Sequence, residues 1–92
     1  EEWTAGGRVA GAIVMIYDHH KRELVNRITE IQHGFGKVII STQHVHFDHD
    51  NCLEIVAVSG SAATVRKLTD KLKAVKGVKH ATLGMSSTGK EI

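Results

Sequence analysis

His44, Val45 and His46, followed at position 52 by the only cysteine, bring together the donor types of a transition-metal site. Side chains alternate faces along an extended strand, so His44 and His46 point the same way. Phe47 to Asn51 (Phe-Asp-His-Asp-Asn) is short and turn-rich, and Cys52 to Val58 (CLEIVAV) reads as a further strand. A hairpin folded about His49 sets Cys52 opposite His46 and Glu54 opposite His44. Directly paired side chains on one face lie about 5 Å apart at Cβ, so two imidazoles and a thiol are grouped. These donors leave the metal open. Cysteine with histidines suits tetrahedral zinc, and copper(II) gains most in intrinsic affinity.

The elements that must hold these groups alternate along the chain. Val9 to Tyr17 (VAGAIVMIY) is an apolar, β-branched run with the character of a buried strand. Asp18 is placed to cap a helix striped by Leu24, Ile28, Ile31 and Phe35, which Gly34 and Gly36 would stop. Lys37 to His46 is the second strand and Cys52 to Val58 the third. Ser59-Gly60-Ser61 reads as a turn and N-cap before a helix striped by Val65, Leu68, Leu72 and Val75, ended by Gly77. Val78 to Met85 is the fourth strand. The order βαββαβ predicts an α+β, ferredoxin-like domain: a four-stranded antiparallel sheet with two helices on one face. Residues 1–7 read as a linker remnant, 8–86 as the domain and 87–92 as a tail.

On the third strand, Leu53, Ile55 and Ala57 form one set and Cys52, Glu54, Val56 and Val58 the other. The first set carries no charge, which assigns it to the core beneath the helices. The ligand face then points outward, and Val38, Ile40, Val56 and Val58 on it suit a subunit interface. A fourth ligand would come most simply from another chain, with His33 at a helix end the attractive candidate. Glu54 could orient a ligand imidazole, and Gln32 has similar prospects. His19, His20, His49 and His80 read as surface groups, with weak auxiliary metal binding as their alternative role; Lys21-Arg22 reads as a solvated face that could touch DNA phosphates in a full-length regulator.

Composition narrows the rest. A chain of 92 residues buries only about 60–65% of its extended surface, so a partner subunit would add stability. One cysteine precludes an internal disulfide, as in a reducing cytosol, and a cytoplasmic location is expected. No apolar run approaches the roughly 18 residues of a membrane span. The net charge of +2 comes from scattered basic residues and does not by itself indicate nucleic acid. No nucleophile–base pair is present, so neither catalysis nor a substrate is expected.

From Ile13 to Leu83 the chain resembles the nickel-responsive transcriptional regulators (NikR). The carriers are Tyr17-Asp18-His19-His20-Lys21-Arg22-Glu23-Leu24, Ile31-Gln32-His33, His44 to Glu54 (HVHFDHDNCLE) and Gly77-Val78-Lys79-His80. The spacing of His33, His44, His46 and Cys52 matches that family's metal set. The resemblance implies an ACT-like ferredoxin fold in a homotetramer built as a dimer of dimers. It also implies one nickel(II) per subunit in a square-planar site, with His44, His46 and Cys52 from one chain and His33 from a neighbour. Its function would be repression of nickel uptake. Operator DNA would be met through an N-terminal ribbon-helix-helix segment that nothing before Arg8 could form, so the chain is expected to be the sensing and assembly domain alone.

Other readings follow from the same residues. His44-x-His46-x-Asp48-His49 spells the HxHxDH of metallo-β-lactamase-like hydrolases, which need a far longer two-sheet scaffold. A zinc- or copper-binding ACT-like domain, or a small-effector-binding or oligomerisation module, are the alternatives.

Overall fold

A computed structural model describes residues 8–87. The expected linker, and the tail beyond Ser87, lie outside the described residues. The elements are β1 (Arg8–Asp18), α1 (Arg22–Gly34), β2 (Ile39–His46), β3 (Asn51–Ser61), α2 (Ala62–Lys73) and β4 (Val78–Ser87). The four strands form one antiparallel sheet in the order β2-β3-β1-β4, so β2 and β4 are its edges. This is the expected ferredoxin-like βαββαβ order.

Local chemistry explains the boundaries. In α1, Leu24, Ile28 and Ile31 recur at helical spacing and are buried. Asp18 does not cap this helix. Lys21 occupies the N-cap without a side-chain bond. Asp18 instead accepts His20 N–H on Oδ1 at 2.9 Å and Lys21 N–H on its carbonyl at 3.3 Å, closing a turn ahead of the helix. Ser61 does cap α2, its Oγ accepting Thr64 N–H at 3.1 Å. Ser59 and Gly60 continue β3 instead of turning, because Ser59 N–H finds the Val38 carbonyl at 2.8 Å. A Cβ at Gly60 would lie 2.7 Å from Val38 Cγ1, so this close approach needs glycine. β2 begins at Ile39, two residues later than expected, since Val38 N–H is held in a turn by the Phe35 carbonyl.

The faces of the sheet are the reverse of the sequence expectation. Cys52, Glu54, Val56 and Val58 are buried in the core with Val9, Ile13, Met15 and Tyr17 of β1 and the stripes of α1 and α2. Leu53, Ile55 and Ala57 are only partly buried, on the face without helices. The difference lies in Glu54: a carboxylate argues against the core, yet this one is buried and hydrogen-bonded there. Val56 and Val58 therefore cannot belong to a subunit interface, and Ile40 stands apart from them, 67% exposed at a register shift in β2.

Candidate metal centre

The hairpin register matches expectation: His46 pairs with Cys52 and His44 with Glu54. Both pairs sit on the helix-side face, at the open edge made by β2. Every residue of β2 after Ile39 is exposed, so the domain's own helices leave this strand uncovered. Cys52, by contrast, is 1% exposed and free. The arrangement is a buried thiol on β3 with two exposed imidazoles on the neighbouring edge strand.

The donor atoms are not gathered as the backbone pairing suggested. Among the described residues, the one group of three metal-binding side chains whose donor atoms lie within 4.8 Å of one another is His20, His49 and Asp50. His46 is stacked on His19, with ring centroids 4.6 Å apart and planes 8° from parallel. His44 is turned to Glu54, with its Nε2 3.2 Å from Oε1.

Glu54 is the centre of a buried polar cluster. Tyr17 Oη donates to its Oε1, and Gln32 Nε2 donates to its Oε2 at 2.6 Å. A buried carboxylate costs several kcal/mol in lost hydration unless donors and a nearby cation or dipole replace the water. Two hydrogen-bond donors, Tyr17 from β1 and Gln32 from α1, meet that need, with the His44 ring of β2 beside them, which is why a carboxylate tolerates the core. Tyr17 is held strongly in its neutral form: burial raises its pKa most, followed by the hydrogen bond to Glu54 and the proximity of Glu54 and Cys52. Tyr17 pairs with Cys52 across β1 and β3. Sequence reading missed Tyr17 as a neighbour of the site. Extending the hairpin register to β1 would have found it, since Asp18 lies opposite Asn51.

His33 is exposed in the last turn of α1, on a groove of about 530 Å³ shared with Phe35, Lys37, Val38 and Thr64. It adjoins Gln32, which reaches Glu54. Within one chain it does not join His44, His46 and Cys52 in a grouping of donors within 4.8 Å. Lys21, Arg22, Arg27 and Lys76 line a separate, basic groove of about 740 Å³ between the ends of α1 and α2.

The loops beside the site are fixed by carboxylates. Asp48 Oδ1 accepts the backbone N–H groups of Asp50 and Asn51 at 2.9 and 2.8 Å. These bonds, Asn51's first, hold its pKa below the usual carboxylate value. Asp18 is lowered similarly, mainly by the His20 N–H.

The domain is thus a ferredoxin-like sheet with a buried thiol, two exposed imidazoles on its edge strand and one buried, hydrogen-bonded carboxylate. The NikR C terminal nickel binding domain model matches residues 10–86, and the chain belongs to that family. Proteins named as nickel-responsive regulators are similar throughout: one from Chlorobium phaeobacteroides is 61% identical over 95% of this chain, and one from Syntrophus aciditrophicus 60% over 97%. The chain spans about 65% of the length of each. An uncharacterized protein of Thermotoga maritima shares the fold, with a TM-score of 0.74 at 14% identity over 85% of this chain and 96% of that one. So does the ACT domain of a GTP pyrophosphokinase from Chlorobium tepidum, with a TM-score of 0.57 at 20% identity over 84% and 96%. Among the described residues no helix is long and apolar enough to cross a membrane.

Proposed function

We propose that this chain is the nickel-sensing, tetramer-forming domain of a nickel-dependent DNA-binding repressor of nickel uptake. One nickel(II) per subunit is held by His44, His46 and Cys52 of one chain and His33 of a neighbour. The observation that carries this reading is the exposed edge where His46 pairs with the buried Cys52 and His44 meets the Glu54 cluster. Imidazole and thiolate donors together favour late first-row metals, and the family selects nickel among them. Glu54 and Gln32 serve as supports behind the ligands. With Nε2 of His44 turned to Glu54, Nδ1 is left to meet the metal. Bound nickel supplies a closed four-donor link between chains and leaves no protein-facing position for a substrate.

A dimer of dimers needs two contact surfaces, and the domain offers two. One is the ligand edge of β2. The other is the helix-free sheet face with Val14, Ile16, Val45, Leu53 and Ile55, which replaces the face expected from sequence. Metal binding at a site shared between chains stabilises one assembly over others, and that preference is the coupling free energy passed to DNA binding. The similar regulators extend beyond the stretch this chain matches, and operator contact is assigned to such a segment, with Lys21 and Arg22 as candidates to meet phosphates.

Nickel titration followed by absorption tests the assignment. A sulfur-to-nickel charge-transfer band saturating at one equivalent per chain is expected. Its survival in Cys52→Ala would overturn the ligand set.

A further inference from the structure

By sequence alone His20 and His49 read as surface groups, with weak auxiliary metal binding as the alternative. The structure places them on two turns that are tied together at one end of the sheet. His19 N–H donates to the Asp50 carbonyl at 3.2 Å, and Asp18 pairs with Asn51 across β1 and β3. Asp18 and Asp48 each cap their own turn through backbone N–H groups. Nε2 of His19 and of His20 both lie 3.2 Å from the His49 carbonyl, and Nε2 of His20 is 4.0 Å from Asp50 Oδ1. The rings of His20 and His49 are 5.7 Å apart.

We propose that His20, His49 and Asp50 form a second divalent-metal site, distinct from the thiolate site, for a borderline cation such as zinc(II). Their donor atoms already lie within 4.8 Å of one another. Bonds of about 2.0–2.2 Å to nitrogen and oxygen place donors within about 4 Å of each other, so small rotations of three exposed side chains close the site. Two imidazoles and a carboxylate are donors for zinc, cobalt or nickel, and with no thiolate they hold the cation less tightly than the set containing Cys52. Water completes the coordination, because all three residues are exposed. The carboxylates of Asp18 and Asp48 add favourable charge, which Lys79 beside them partly offsets. The turns are fixed by backbone bonds before any metal arrives, so little ordering is left for binding to cost.

The test uses zinc(II) alone, titrated calorimetrically into a Cys52→Ala/His44→Ala chain, which lacks two ligands of the thiolate site. One zinc per chain is expected. Adding His20→Ala and His49→Ala should weaken binding by at least about tenfold, the loss seen when even an outer support of a ligand is removed. Adding His80→Ala, which lies on β4, should leave the isotherm unchanged. An isotherm indifferent to His20 and His49, or no binding in the starting chain, overturns the proposal. In the otherwise native chain, His20→Ala/His49→Ala should retain the nickel–thiolate band. Loss of that band would merge the two sites into one and equally refute a second site.

Discussion

Oε1 of Glu54 lies 3.2 Å from Nε2 of His44, joining a carboxylate only 2% exposed to an imidazole whose side chain is 55% exposed. The contact links the interior of the domain to the edge where a neighbouring chain would arrive. Glu54 is in turn held by Tyr17 and Gln32, so the orientation of His44 depends on three elements of the core.

Glu54→Gln keeps the side chain's size but removes the charge that faces His44. Nickel affinity should fall about 10- to 100-fold while the sulfur charge-transfer band persists at saturation. Competition against a metal-buffering chelator measures it, and unchanged affinity would remove Glu54 from the site.

Tyr17→Phe deprives the buried carboxylate of a donor without opening a cavity. A loss of about 1–3 kcal/mol is expected, or roughly 4–8 °C in Tm for each kcal/mol in a domain of this size. Thermal unfolding in the absence of metal gives the value directly.

The pH dependence has opposite signs at the two ends. The pKa of Tyr17 is raised from 10.0 in the fold, so its stabilising contribution is complete below 10 and is lost as pH rises above it. That of Asp48 is lowered from 3.8, so its contribution is present above 3.8 and is lost as pH falls below it. Tyr17→Phe should flatten the alkaline limb of a stability–pH curve and Asp48→Asn the acid limb. Swapped effects would refute both assignments.

The corrected sheet faces make a further test. Val56→Ala empties part of a fully buried site and should cost about 2 kcal/mol without affecting assembly beyond that loss. Ile55→Lys, on the helix-free face, should leave the fold intact and prevent the proposed tetramer from forming in sedimentation. The reverse pattern would restore the original face assignment.

The βαββαβ order and the pairing of His46 with Cys52 were legible because apolar periodicity and a short Asp/Asn-rich turn fix element type and hairpin register locally. The choice of face was not. β1 is apolar on both sides, with Val9, Ile13 and Met15 facing the helices and Ala12, Val14 and Ile16 facing away, so alternation gave no direction. Glu54 then decided wrongly, because the donors that make its burial tolerable lie 37 and 22 residues away in sequence. The stack of His46 on His19 was equally invisible, as it arises only when the β1 turn meets the β2–β3 turn.

Whether the metal is shared between chains is tested most directly by mixing two defective variants. His33→Ala and His44→Ala chains should each bind nickel poorly, since every site in either assembly lacks one ligand. Unfolded together and refolded as a mixture, they should regain a sulfur-to-nickel charge-transfer band, because some sites combine an intact His33 from one chain with an intact His44 from the other. A mixture whose spectrum is only the average of the two separate variants would contradict a site built across subunits.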